Sequence, residues 1–131
     1  MATPRILIVE DHRVFSEALE LALGWCLRER AERTEFRRAA TVAEGLRLLR
    51  GDGPFDVAIV DLMLPDGAGV EVLDEIRASH PRTRVAALGL GRGPSGTLEA
   101  GLDETIGKER PFAEMVSRLA RLAGGGDRPA A

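Results

Sequence analysis

The chain has a single cysteine, Cys26, so no internal disulfide can form. Cys26 falls inside an apolar helical pattern, where a buried thiol is expected, and a reducing cytosol is the compartment that fits. An excess of basic charge is also missing. The 18 basic residues stand against 21 acidic ones, giving a net charge of -3 and a pI near 5.5. That balance attracts neither a phosphate backbone nor an anionic membrane, which disfavours nucleic-acid binding by this chain alone. No apolar run approaches the roughly 20 residues of a membrane span, and Met1 to Arg5 lacks the apolar stretch and cleavage pattern of a signal peptide. A soluble, cytoplasmic protein is expected. No internal repeat is visible, and lysine is almost absent: among 18 cationic side chains only Lys108 is a lysine. What is present is 131 residues, 44% hydrophobic and 30% charged, the size and mixture of one globular domain with one core.

Short apolar runs alternate with amphipathic stretches, the pattern of strands and helices in turn. Arg5 to Val9 (RILIV) reads as a buried strand that stops at Glu10 and Asp11. Helix one follows over Val14 to Leu27, with Phe15, Ala18, Leu19, Ala22 and Cys26 as its apolar face and Trp25 read as a core residue. Phe36 to Ala40 is a weak second strand. Thr41 and Glu44 then form a capping-box pair ahead of Leu46 and Leu49, and Gly51 to Pro54 ends that helix. Phe55 to Val60 is a third strand ending on Asp61, Pro65 to Gly69 a turn, and Val70, Leu73 and Ile76 one face of a helix that stops near His80 and Pro81. Arg84 to Leu90 reads as strand four. The glycines at 91, 93 and 96 and Pro94 then leave only a degenerate fourth helix over Ser95 to Ala100. Glu104 to Gly107 is a fifth strand, and Phe112, Met115, Val116, Leu119 and Leu122 mark the last helix. One domain is expected over residues 1–123, with a flexible tail or linker over 124–131. Strands alternating with helices imply an α/β fold, a doubly wound parallel sheet covered on both faces, and the length excludes an eight-stranded barrel.

In an open parallel sheet, ligands bind beyond the carboxyl ends of the strands. Glu10 and Asp11 end strand one, Asp61 ends strand three and Lys108 follows strand five, so all four converge on one edge. Three carboxylates so placed repel one another unless a cation sits among them, and an oxygen-rich site suits Mg²⁺. The ammonium would hold the oxygens of a phosphoryl group delivered to one carboxylate. Taken singly, acids after strands commonly cap helices or sit in solvated loops. The combination of the acid pair, Asp61 with LMLPDG behind it, and the sole lysine is what gives the pattern its specificity. Gly91 to Gly96 satisfies G-x-G-x-x-G, but it follows the fourth strand and no acid ends a following strand, so it reads as a loop and not as a dinucleotide fingerprint. An aspartyl phosphatase with a second acid two residues on is excluded, because Met63 stands there. His12 and His80 read as surface or capping residues.

These segments resemble the receiver domains of two-component response regulators over residues 5 to about 122. ILIVEDH at 6–12 is similar to the family's strand-one motif, FDVAIVDLMLPDGAGVEVL at 55–73 to its phosphorylation-site segment, and AGLDETIGK at 100–108 to the stretch that leads to its lysine. The resemblance implies a flavodoxin-like strand order 2-1-3-4-5. It implies that Asp61 is the phosphoacceptor and that Glu10, Asp11, Asp61 and the backbone carbonyl of Met63 hold Mg²⁺, with Lys108 on the phosphoryl oxygens. The implied partners are a sensor histidine kinase or a phosphotransfer protein, with a homodimer or an output partner beyond it. The implied chemistry is autocatalytic acceptance with slow self-dephosphorylation, short of a turnover enzyme. EDHRVFSEALELAL at 10–23 is most similar to receivers that precede a helix-turn-helix output domain, and these 131 residues hold no such domain. Two positions depart from the family pattern: Gly89 replaces the strand-four Ser or Thr, and Thr105 replaces the strand-five aromatic. They set a second reading beside the first, a receiver fold that binds a partner regardless of phosphorylation.

Overall fold

A computed structural model describes residues 3–28, 33–89 and 102–124. From Ile6 to Val9 strand β1 (Arg5–Val9) is buried on both faces, with Ile6 and Ile8 in one apolar cluster and Leu7 and Val9 in another. Strand β3 (Val57–Asp61) repeats the device, sending Val57 and Ile59 one way and Ala58 and Val60 the other. This period-two alternation of apolar side chains, with no polar face, requires a cover on each side of the sheet.

The covers are helices. On one face, α1 (Arg13–Leu27) and α4 (Phe112–Gly124) supply Leu19, Leu23, Leu27, Met115, Val116 and Leu119. On the other, α2 (Val42–Asp52) and α3 (Val70–Ser79) supply Val42, Leu49, Val72, Leu73 and Ile76. Between them lie β2 (Glu35–Ala39), β1, β3, β6 (Arg84–Gly89) and β7 (Glu104–Gly107), all parallel, in the order β2-β1-β3-β6-β7. This is the doubly wound, flavodoxin-like sheet. Arg5 fastens its lower edge: its guanidinium donates to the carbonyls of Asp52 and Pro54 at 2.6 and 2.7 Å and lies over the Phe55 ring.

Several local expectations are corrected. β3 begins at Val57, two residues later than the apolar run suggests, although the Asp56 backbone already bonds Arg5 on one side and Arg84 on the other, and its carboxylate accepts the Arg5 amide at 2.7 Å. The turn over Pro65–Gly69 is part of a small antiparallel hairpin, β4 (Met63–Leu64) with β5 (Gly67–Ala68), and Gly67 takes a positive φ of 153° there. α4 runs through Gly124. The degenerate fourth helix, the Gly91–Gly96 run and the tail from residue 125 lie outside the described residues.

The largest correction is the face of α1. Apolar side chains cover so much of this helix that spacing alone fits more than one stripe. The structure selects Ser16, Leu19, Leu23 and Leu27, and the Ser16 hydroxyl is satisfied by the Arg13 carbonyl at 3.0 Å. Trp25 and Cys26 are consequently exposed, not buried. The Trp25 ring is 65% accessible and carries the Arg28 guanidinium 3.6 Å above it. Truncation should separate the two faces: Leu23→Ala is expected to cost about 2–5 kcal/mol in urea denaturation, and Trp25→Ala no more than about 0.5 kcal/mol. The opposite ranking would return Trp25 to the core.

Candidate functional site

Backbone bonds just past the strand ends fix where each polar side chain starts. The Glu10 amide donates to the Ala39 carbonyl at 2.9 Å, extending the β1–β2 ladder by one step. The Leu62 amide donates to the Leu88 carbonyl at 2.9 Å, which holds the peptide after Asp61 against β6. The Lys108 amide donates to the Gly89 carbonyl at 2.8 Å. Glu10, Asp61 and Lys108 thus leave the sheet at one edge, and the structure brings their side chains together.

The Lys108 ammonium donates to Asp61 Oδ2 at 3.0 Å and forms an ion pair with Glu10 Oε1 at 2.8 Å. It also lies 5.2 Å above the Phe15 ring. Burial alone would pull the Lys108 pKa down, but the attraction of Glu10 and Asp61 outweighs it and holds the ammonium above the ordinary 10.5. Lys108 is therefore a fixed positive charge at neutral pH. The other Asp61 oxygen, Oδ1, accepts the Met63 amide at 3.0 Å, so both carboxylate oxygens are held. His12 turns toward the same cluster, its amide and its Nδ1 lying 2.9 and 2.8 Å from Glu10 Oε2.

One ammonium does not balance three carboxylates. The Glu10 side chain is fully buried and Asp61 is 3% accessible. The Lys108 contact to Glu10 Oε1 is not aligned as a hydrogen bond. Among the described residues, Glu10 Oε1 and Asp11 Oδ1 are buried oxygens that accept none. Glu10 Oε1 has the Lys108 charge beside it, whereas Asp11 Oδ1 is without a donor, and such an oxygen is costly to keep dry. Glu10, Asp11, His12 and Asp61 can each place one ligand atom within 4.8 Å of the others. Excess negative charge and a donor-less oxygen at one point fit a hard divalent cation such as Mg²⁺.

Two residues that shape this site carry no signal at short range in the sequence. A side chain at Gly69 would run into the carbonyl oxygen of Asp61, and the Gly69 amide donates to the Leu62 carbonyl at 3.0 Å. Only glycine lets the chain close this tightly behind Asp61. Asp66, at the tip of the same hairpin, accepts the amides of Val42 and Ala43 at 2.8 and 3.1 Å. It therefore caps α2 from more than twenty residues away, beside Thr41, whose hydroxyl accepts the Glu44 amide at 3.1 Å.

Gly89 and Thr105 both sit against close neighbours. A Cβ on Gly89 would stand 3.1 Å from Leu62 Cδ1, so the Leu62 side chain already covers that Cα. The Thr105 carbonyl accepts a bond from Arg118, whose guanidinium also pairs with Glu104, tying β7 to α4.

The response regulator receiver domain model matches residues 6–120. Among curated proteins, the transcriptional regulatory protein CseB of Streptomyces coelicolor is 35% identical over 94% of this chain and 53% of its own length. The response regulator protein PilR of Pseudomonas aeruginosa is 35% identical over 67% of this chain and 18% of its own length. The chain thus spans about half or less of these relatives. Among solved structures, the non-phosphorylated HemR receiver domain of Leptospira biflexa superposes with a TM-score of 0.76 at 30% identity, covering 98% of this chain and all of that one. The TrrA response regulator of Thermotoga maritima, solved in complex with Mg²⁺-BeF, gives 0.72 at 26% identity, over 92% and 99%.

The Asp66 cap sets a pH dependence. Bonds from the Val42 amide, and then from Ala43, lower the Asp66 pKa below the ordinary 3.8 against a smaller opposing effect of burial. A folded-state value depressed in this way contributes stability above the unfolded pKa, and the contribution is lost as pH falls through the folded one. In thermal melts, Asp66→Ala is expected to melt below wild type at pH 7, with the gap closing below about pH 4. A gap independent of pH would mean that the carboxylate charge does not act in this cap.

Proposed function

We propose, on the premise that the chain belongs to the response regulator receiver domain family, that Asp61 accepts a phosphoryl group from a sensor histidine kinase or phosphotransfer protein. The observation that carries this reading is the single ammonium of Lys108 held between Asp61 Oδ2 and Glu10 Oε1. A nucleophilic carboxylate gripped by the cation that can next hold phosphoryl oxygens is what phosphoryl transfer needs, since positioning and charge supply most of the catalysis.

An Asp61 oxygen attacks phosphorus, the bond from phosphorus to the donor's imidazole nitrogen breaks, and that nitrogen keeps the electron pair and takes up a proton. Glu10, Asp11, Asp61 and the Met63 carbonyl would hold Mg²⁺, which supplies charge neutralisation between the carboxylate and the incoming phosphoryl oxygens. The Met63 amide keeps Asp61 from rotating, and Lys108 moves its donor bond from Asp61 to the transferred group. Water attacking the same phosphorus restores the carboxylate, so the acyl phosphate is transient and the domain resets itself.

The departures at Gly89 and Thr105 favour a weak readout of that charge. Gly89 brings no hydroxyl to the phosphoryl group, which forgoes a charge-assisted hydrogen bond of about 1.5–3 kcal/mol. Thr105 has no ring to relocate, and Arg118 holds its carbonyl. A ligand shifts a two-state equilibrium only by its differential interaction with the two states. A receiver that binds its partner in both states is the second reading that this weak coupling supports.

Incubation with Mg²⁺ and a small phosphodonor is expected to add one phosphoryl group to wild type by intact mass and none to Asp61→Asn, whose amide is no nucleophile. Equal labelling of both would move the site elsewhere, and unlabelled wild type would favour the binding-only reading. Beryllofluoride loading followed by amide chemical shifts tests the readout. Changes should cluster near Asp61 and Lys108, and large concerted changes from residue 89 through 112 would show that another group replaces the missing hydroxyl.

A further inference from the structure

His12 sits at the N-cap position of α1 with extended φ and ψ of -87° and 103°, yet its side chain makes no capping bond to the helix. Ser, Thr, Asp or Asn is the usual choice there because each accepts an orphan amide. The His12 ring turns the other way, with Nδ1 2.8 Å from Glu10 Oε2 and 3.5 Å from Asp11 Oδ1. For bonds near 2.1 Å, neighbouring ligand atoms of an octahedral ion stand about 3 Å apart. The two His12 separations bracket that edge. Independently, the Glu10 side chain is fully buried with the Lys108 ammonium 2.8 Å from Oε1 as its ion-pair partner, and the buried Asp11 Oδ1 accepts no hydrogen bond.

We propose that His12 contributes an imidazole nitrogen to the cation site formed with Glu10, Asp11 and Asp61, and that the site takes a first-row transition divalent such as Mn²⁺ in preference to Mg²⁺. This rests on reading the three carboxylates as a cation site. Three carboxylates and the Lys108 ammonium leave two uncompensated negative charges, which a divalent ion cancels. A neutral imidazole adds a donor without adding charge. Carboxylate and carbonyl oxygens alone suit Mg²⁺, whereas an imidazole donor favours the transition series. The two uses of His12 need opposite tautomers: Nδ1–H to donate to Glu10, or a bare Nδ1 to bind the ion with the proton on Nε2. The ring is 69% accessible, so that second proton would meet solvent without a protein partner.

The test uses Mn²⁺ itself, on the full chain, with wild type, His12→Asn and Asp11→Asn. Asparagine is a favoured N-cap residue, so α1 keeps its start. Electron spin-echo envelope spectra of bound Mn²⁺ are expected to show imidazole nitrogen modulation in wild type and none in His12→Asn. Titration by electron paramagnetic resonance should find Mn²⁺ bound about tenfold or more weakly in His12→Asn. Mg²⁺ affinity, read by competition, should stay within about twofold. Absent modulation, or equal Mn²⁺ affinity in wild type and His12→Asn while Asp11→Asn loses binding, would overturn the imidazole ligand and leave the carboxylate site standing. Mn²⁺ binding that Asp11→Asn leaves unchanged, or no saturable binding to wild type, would remove the carboxylate site and His12 with it.

Discussion

Three carboxylates crowded at one sheet edge, two of them held by one ammonium, are the constraint around which the rest of this structure is arranged. The sheet order places β6 between β3 and β7, so Lys108 must reach across the end of β6 to touch Asp61 and farther to touch Glu10. Two strand spacings amount to about 10 Å, within the combined reach of a backbone step and a lysine stem. The lysine is also chemically apt. A compact ammonium on a flexible stem can touch two carboxylates at once and then shift to a third set of oxygens, whereas a guanidinium's rigid fork prefers one planar partner. In a chain that otherwise uses arginine for its positive charge, the one lysine stands where a single cation touches two carboxylates.

The same edge explains the small residues that line it. Gly89 lies at the end of β6, directly under the path of the Lys108 backbone, and Leu62 has closed over its Cα. Gly69 closes the chain against the Asp61 carbonyl on the other side. Between them, Leu62 to Gly69 forms a tight hairpin whose tip, through Asp66, caps α2. Asp61 is thereby embedded at the head of a short, heavily bonded segment that leads toward α2.

Much of this was legible in the residues. The five principal strands and their helices follow from alternating apolar runs, and the convergence of Glu10, Asp61 and Lys108 follows from parallel strands ending on polar residues. Thr41 and Glu44 were legible as a cap as well, although the Glu44 carboxylate bonds the Ala40 amide, one residue before the box pattern places it. What stayed hidden shares a physical cause. The face of α1 is ambiguous because Val14, Leu21 and Trp25 are apolar yet point outward, so only packing against α4 and the sheet chooses the stripe. Asp66 and Gly69 act on partners that are remote in sequence or on backbone atoms, and no local period or propensity encodes either. His12 looked like a surface residue, and it is exposed; its ring contact with Glu10 depends on a backbone conformation that residue types do not reveal.

The distribution of polar ties also bears on how a charge placed on Asp61 would be felt. Toward α2 the path is short and polar: Asp61 Oδ1 to the Met63 amide, the hairpin from Met63 to Ala68, and Asp66 to the first amides of the helix. Toward β7 and α4 there is a polar path as well: Asp61 Oδ2 to the Lys108 ammonium, which directly follows β7, and the Arg118 tie to Glu104 and Thr105, while Gly89 beside it offers only its backbone and meets Leu62 packing. A hydrogen-bonded path can transmit a change in charge by gaining or losing a bond, while an apolar contact transmits only displacement, which dense packing resists. The residues present therefore couple Asp61 by hydrogen bonds both to the α2 side, through Met63 and Asp66, and to the end of β7, through Lys108, and Gly89 in strand β6 is the point between them that has no side chain to take part.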